Sequence, residues 1–395
     1  MIYKDCTIGD IASISAGGDR PKLCSDTRTS ELTVPVYSNG LENDGLYGYT
    51  DKAKIDGDTV TVSARGVNVG TVCYREEAYL PIVRLLALVP RRDIIDAKYL
   101  YYVLKNTPLI GNGSAQPQIT VPMISNQRIR IHEDLIIQKK IATYLSRFDE
   151  LIRLNRGINE NLAQQAQAVF KSWFITSEDR TTWKTGTFSD LIDSTLSGDW
   201  GKDSATGNFT EMVYCVRGAD IPELKAGNKG KMPTRYILPK NYAAKQLVPG
   251  DIVIEVSGGS PTQSTGRAAA ISRSLLDRYD RGMVCTNFCR AIKPKDGYSM
   301  FVYYYWQYLY DRRIFFAYEN GTTGIKNLDL NRFITTEEIQ IPPESLISQF
   351  NDYCKVVFDQ IFSNGYESEQ LATMRDMLLP RLMTGDLDVS KIELQ

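Results

Sequence analysis

"YLSRFDELIRLNRGINENLAQQAQAVFKSWF", Tyr144 to Phe174, lies in the middle of a 395-residue chain whose flanks are rich in Gly, Pro and β-branched residues. Apolar residues at Ile137, Ile141, Tyr144/Leu145, Phe148, Leu151/Ile152, Ile158, Leu162, Ala166, Val169 and Trp173 keep the alternating three and four spacing of a helix with one packed stripe. Continuous over about 37 residues, such a helix is about 55 Å long at about 1.5 Å per residue. No small domain core needs that length. Asn155 falls in the stripe where an apolar residue is expected, a substitution that in paired helices costs stability and sets register. The stripe therefore calls for a specific partner helix. Gly157, which costs about 1 kcal/mol relative to Ala in a helix, permits a local kink.

The chain supplies that partner near its end. "FDELIRLNRGINENLA" (Phe148 to Ala163) matches "FDQIFSNGYESEQLA" (Phe358 to Ala372), one residue shorter, with the same Phe-Asp start, central Gly and Glu-x-Leu-Ala close. Two copies of one helix imply a duplication, and the rest of the sequence repeats with them. Thr7, Asp10 and Gly18-Asp19 recur 180 residues on as Thr187, Asp190 and Gly198-Asp199. "GDTVTVSARG" at Gly57 recurs as "GDIVIEVSGG" at Gly250, "KYLYYVL" at Lys98 as "MFVYYYW" at Met300, and "NGSAQPQIT" at Asn112 as "NGTTGIKNL" at Asn320. Each half thus reads as a globular part followed by a long helix. The expected boundaries are residues 1–135, 136–185 for the central helix, 186–343, and 344–395 for the C-terminal helix. Gly365 and Asn364 weaken the second helix, and Pro380 marks where it would end or kink.

With 43% hydrophobic and 24% charged residues, the chain is long enough for two cores plus connectors. No apolar run approaches a membrane span, and "MIYKDCTIGD" at the start lacks a signal core, so a cytoplasmic protein is expected. Seven scattered Cys without CxxC pairs point to reduced thiols. Without a secretory signal, the sequons at Asn112, Asn208 and Asn320 are chance matches. Lys+Arg at 46 against Asp+Glu at 47 leaves a net charge of −1. A nucleic-acid footprint would have to come from local patches.

Each globular half reads as mixed α/β. In the first, "PVYSNG", "TVTVSARG", "GTVCYRE" and "LPIVRLLALVP" are strand-like, and "DAKYLYYVLKN" is a short helix with an Asp cap. In the second, "DIVIEVS", "RAAAIS" and "VCTNFCRAIKP" repeat the strands and "GYSMFVYYYWQYLYDRR" the helix. A last strand, "QRIRIHED" or "EEIQIPPES", leads straight into each long helix.

Catalytic chemistry finds little support. A single His, His132, rules out a site needing two imidazoles, and beside a charged helix entry it reads as a solvated surface residue. Cys285 and Cys289 share parity and read as packing on one strand face; zinc would need two further ligands. "GNKGKM" at Gly227 is too short for a phosphate loop and lacks the Ser/Thr after Lys. Asp220 and Glu223, three residues apart through Pro222, cannot share a metal as carboxylates on separate strands do. Neither an amine-methylation tetrad nor a Gly-rich cofactor loop is present. The chain reads as non-catalytic.

Binding signals are duplicated. "SARGVNVGTV" (Ser63 to Val72) and "SGGSPTQSTGRAA" (Ser257 to Ala269) each follow a Gly-Asp strand, and both are rich in Gly, Ser, Thr, Asn, Gln and Arg. Gly lets backbone approach a ligand, Arg can bond two acceptors on guanine, and Asn or Gln can pair with adenine edges. "NGSAQPQIT" and "NGTTGIKN" share that vocabulary. One such loop is ordinarily just a polar turn; two equivalent pairs favour a binding role. Tyr47, Tyr49, Arg91 and Arg92 can add phosphate contacts.

The repeat order, the helix "FDELIRLN…NLAQQAQAVFKSWF" and the ending "QLATMRDMLLPRLMTGDL" resemble the specificity subunit of type I restriction-modification systems across essentially the whole chain. The resemblance implies an α+β fold: two mixed α/β target-recognition domains in tandem, separated by two long antiparallel, coiled-coil-like helices in a pseudo-twofold internal repeat. Each domain would read one half of a bipartite DNA site. The implied partners are double-stranded DNA, two modification (methyltransferase) subunits that carry S-adenosylmethionine and methylate adenine, and restriction subunits that use ATP and Mg²⁺. No cofactor is expected in this chain itself. Half-site spacing would follow the helices, where about 55 Å corresponds to about 16 base pairs before domain width and tilt are subtracted. Two unlike readers imply an asymmetric target.

On this reading Arg65, Asn68, Gln116 and Gln118 lie on the DNA face of the first reader. Ser260, Thr262, Gln263, Arg267 and Lys326 lie on that of the second. Trp173, Phe174, Leu378 and Leu379, near the helix ends, are candidates either for meeting the modification subunits or for closing the intramolecular seam. The alternatives are a non-enzymatic scaffold that binds a protein or glycan across the repeated domains, and an enzyme with an unrecognised site.

Overall fold

The computed structural model describes residues 3–40, 42–113, 117–260, 262–321 and 325–389. The chain forms two compact units, one of Met1–Leu151 with Leu371–Gln395 and one of Ile152–Gln370. Each owns a globular part and a share of both long helices, Leu135–Phe170 and Glu344–Thr384.

In the first unit a four-stranded antiparallel sheet runs in the order Ala12–Ala16, Leu86–Pro90, Thr59–Val62, Val72–Arg75. A three-stranded sheet sets Val34–Tyr37 between antiparallel Leu46–Thr50 and parallel Leu80–Pro81. A two-stranded ribbon pairs Tyr3–Thr7 with Arg128–His132, which feeds the central helix. The second unit repeats these three sheets and adds a small three-stranded one of Ser257–Gly258, Lys326–Leu328 and Glu319–Asn320. Its four-stranded sheet is Ile192–Ser197, Cys289–Pro294, Ile252–Glu255, Ala268–Ala270. Glu211–Val216 lies between antiparallel Thr234–Ile237 and parallel Met283–Cys285, and Lys184–Thr187 pairs with Glu338–Ile341. The duplicated Thr and Asp close matching capping boxes, with the backbone N–H of Thr7 and Thr187 each 2.8 Å from the carboxylate of Asp10 and Asp190. The helix Ala97–Lys105 is capped by Asp96, as its sequence predicts, and Ser299–Asp311 is its counterpart.

Cores form where the helices meet the sheets. In the first unit Ile141 and Leu145 of the central helix and Leu382 of the C-terminal helix join Val60, Leu88, Tyr99 and Ile131. In the second, Phe170, Phe174, Phe301 and Phe350 form an aromatic cluster, with the rings of Phe174 and Phe301 4.9 Å apart. Phe174 and Leu379 are buried within their own units, and Trp173 packs on Phe350, so these residues close intramolecular seams. Pro380 does not end the helix, which continues to Thr384 because Leu379, Leu382 and Met383 are held in the first core.

The apolar stripe is broken in its middle. Leu151 and Ile158, expected to pack, are 46% and 48% exposed, while Asn159, not in the stripe, is only 5% exposed. A helix at 3.6 residues per turn drifts off a 3.5-residue seam, and here a polar junction takes over. The Asn159 amide donates to the carbonyl oxygens of Ile361 and Ala226 at 2.9 and 3.1 Å and accepts from the Asn364 amide at 2.9 Å. Asn155 donates to Glu367 at 3.0 Å. Because partner numbers fall as positions rise, the helices are antiparallel within this unit. Gly157 has open space around its would-be Cβ. Gly157→Ala is therefore expected to stabilise the protein by up to about 1 kcal/mol, read as a raised denaturant midpoint; a lowered midpoint would mean the position needs glycine.

His132 is not a solvated surface residue: it is 4% exposed, with its ring edge-on to Tyr3 and Nδ1 accepting from the Asp134 N–H at 3.0 Å. Pairing of its strand with Tyr3–Thr7 covers it, a long-range contact invisible in local charge pattern.

Candidate nucleic-acid interface

In the first unit the strand Thr59–Val62 opens into the loop Ser63–Thr71, closed at its neck by Ser63 N–H to Thr71 O and Gly70 N–H to Ser63 O, both 2.9 Å. Arg65 bridges Gln118, and Gln118 exchanges two 3.0 Å backbone bonds with Asn112, so the two polar loops are zipped together. Asn39, two residues beyond the strand Val34–Tyr37, is the brace. Its side chain accepts from Ala64 N–H at 2.8 Å and donates to Val83 O at 2.7 Å, and its carbonyl accepts from the Asn68 amide at 3.2 Å. Beside this frame lies a cleft of about 770 Å³ lined by Gly66, Val67, Val69, Leu109, Ile110, Gly111 and Pro117, with Val67 wholly exposed and Ile110 78% exposed. The Arg65 Nε is buried without a hydrogen-bond partner among the described residues. A guanidinium left so carries an unmet donor, the kind of group that incoming acceptors satisfy. Gln116 lies outside the described residues.

The second unit uses the same frame with different anchors. Ser257 and Gly258 pair antiparallel with Asn327 and Lys326, the counterpart of the Arg65–Gln118 bridge. Arg267 donates Nε and Nη2 to the two oxygens of Glu255 at 2.8 and 2.6 Å, and that carboxylate makes Arg267 hold its proton more tightly than usual. Lys326 bonds Glu319 at 2.8 Å, whose other oxygen accepts from Thr265 N–H at 2.6 Å. Ser260 Oγ accepts from the N–H groups of Thr262 and Gln263 at 3.3 and 3.0 Å, holding the loop tip. Trp306 Nε1 reaches up from the core to Gly266 O at 2.7 Å. Arg267, Lys326 and Ser260 thus hold the loop, while Thr262 and Gln263 are its exposed tip.

The two loops of each unit are brought together. Sequence reasoning missed Asn39, Glu255 and Glu319. A signal existed for Glu255: it is a lone carboxylate in the run Ile252–Glu255, which is buried throughout. Of the accessory residues, Tyr47 stays exposed with the Arg20 guanidinium 5.0 Å from its ring centre, and Arg92 pairs with Asp58 at 3.0 Å. Asp220, the former carboxylate candidate, is bound by Arg217 and by the Lys231 N–H. Among the described residues no cluster of His, Cys, Asp or Glu could hold a metal ion, and no helix is long and apolar enough to cross a membrane.

The family profile for the type I restriction modification DNA specificity domain matches residues 3–164. A Mycoplasma pneumoniae protein provisionally named a type I specificity subunit is 30% identical over 161 residues, 40% of this chain and 46% of that protein, so the match spans under half of that relative. Another from the same organism, provisionally named the C-terminus of a type I specificity subunit, is 34% identical over 119 residues, 30% of this chain and 78% of that protein. The crystal structure of the type I restriction-modification S subunit from M. genitalium has the same fold, with a TM-score of 0.57, 17% identity and 96% of both chains covered.

Proposed function

The chain belongs to the family of type I restriction-modification specificity subunits, and from that membership we propose that it is the sequence-reading subunit of such a complex, each unit reading one half of an asymmetric bipartite DNA target. The observation that carries this reading is the duplicated loop frame with unlike tips: Arg65, Asn68 and Gln118 in one unit, Thr262 and Gln263 in the other. Structural turns need no such retention of amide-rich tips after duplication. The paired helices would set the spacer, and adenine methylation and ATP-dependent restriction would belong to partner subunits that dock on this chain. Cofactors for those steps are assigned to the partners.

The test is to sequence methylated adenines in cells with and without the gene and with Arg65→Ala. Deletion should erase one bipartite motif. Arg65→Ala should relax or weaken the first half-site alone, by about 1–3 kcal/mol if it reads a base. Equal loss at both half-sites would reject the assignment. If the deletion strain keeps its methylation map, the proposed function fails.

A further inference from the structure

We propose that each unit carries a second reading element, a tight turn clamped by a glycine and tipped by Val83 and Arg84 in the first unit and by Asn287 and Phe288 in the second; the inference rests on the DNA-reading function proposed above. Both stretches look like uninterrupted strands in the sequence, "LPIVRLLALVP" and "VCTNFCRAIKP". In the structure each breaks where the chain leaves the three-stranded sheet and enters the four-stranded one, after Pro81 and after Cys285.

The repeated glycines lie beneath these breaks. Gly17 N–H donates to Leu85 O at 2.8 Å and Gly18 N–H to Pro81 O at 3.2 Å, and Val83 N–H returns a 2.8 Å bond to Gly18 O. A Cβ on Gly17 would stand 2.7 Å from the Pro81 carbonyl. In the second unit Asp199 N–H donates to Cys285 O at 2.8 Å, and a Cβ on Gly198 would strike the Thr286 carbonyl. In space Gly17, one residue before the Gly18 matched in the sequence repeat, takes the place of Gly198, and Gly18 that of Asp199; the two clamps share this glycine contact and one backbone bond, and their tips differ.

Each turn is also bonded to its reading loop. Asn39 links Val83 O to Ala64 N–H, and Phe288 O accepts from Val256 N–H at 2.9 Å and Ser257 N–H at 3.1 Å. Neither tip is a product of packing, since Val83 is 52% and Phe288 58% exposed. Val83 and Arg84 have φ of 52° and 61°, a left-handed conformation that a β-branched residue adopts only under constraint. A turn built only to reverse the chain would carry Gly or Asn there. A shared glycine contact presenting two different tips is what a pair of readers with different targets requires. Arg84 can bond two acceptors on guanine, Asn287 can pair with adenine, and Val83 and Phe288 suit the thymine methyl group.

The experiment uses the full chain assembled with its methyltransferase partner. Phe288→Ala should weaken binding to the cognate duplex roughly tenfold or more, and relax the second half-site in the methylated-adenine map. Binding to a non-cognate duplex and thermal stability should be unchanged. Arg84→Ala should do the same at the first half-site. Unaltered affinity and motif in a correctly assembled complex, while Arg65→Ala still relaxes the first half-site, would overturn this inference and leave the proposed function standing. Loss of assembly with the methyltransferase on Phe288→Ala would also overturn it, by making the turn a subunit contact. Failure of the proposed function itself would appear separately, as a methylation map that survives deletion of the gene.

Discussion

Glu255→Ala is expected to destabilise the second unit by about 3–5 kcal/mol, the cost of removing one partner of a buried ion pair. Glu255 is 6% exposed and takes both donors of Arg267, whose side chain is 25% exposed, so the change leaves a largely desolvated guanidinium with no counter-charge. It also frees the strand end from which the reading loop departs, since Glu255 N–H and Gly266 N–H exchange backbone bonds with Arg267 O and Glu255 O at 2.9 and 2.8 Å. Hydrogen exchange of Ile252–Glu255 and Ala268–Ala270 should accelerate, and the second half-site should be lost with the first retained. Replacing both residues by Met should recover most of the stability, because a buried pair contributes little against packed apolar side chains. It should not recover recognition if the pair sets the loop. A loss under about 1 kcal/mol for Glu255→Ala would show that water reaches and screens the pair.

Gly365→Ala, in the other copy of the helix, should have the opposite sign from Gly157→Ala and cost about 2–3 kcal/mol. A Cβ at Gly365 would strike the Gly227 carbonyl oxygen and lie 2.6 Å from its carbon, and both are backbone that cannot swing aside. That loop is tied down by Arg278 Nη1 to Gly227 O at 2.7 Å, by Asn159 to Ala226 O at 3.1 Å and by Lys229 N–H to Glu369 at 2.8 Å. Moving it breaks buried bonds; keeping it bends the helix. Thermal unfolding of both single variants, side by side, checks the contrast. A stabilising Gly365→Ala would mean that the loop yields freely.

The two glycines illustrate how far the sequence could be read. That each helix copy carries a glycine near its middle was legible in the repeat. Their unequal roles were not, because the Ala226–Lys229 segment that docks on Gly365 belongs to the second globular part and announces nothing in its composition. The same holds at the reading loops. Gly, Gln and Arg marked the segments, yet Arg267 and Arg65 looked alike, and only burial of Glu255 beside one of them separated a loop-holding cation from one with an unmet donor.

Taken alone, the sequence determined the duplication, the tandem α+β order, the paired long helices and the recurrence of two polar loops in each half. These follow from periodicity, capping and internal repetition, which are local or compare like with like. Tertiary structure decided where strand-like runs break, which seam positions are polar, that His132 is buried, and which charged groups neutralise each other. Those depend on what a distant part of the chain brings within hydrogen-bond distance, and neither hydrophobic period nor residue type encodes that meeting.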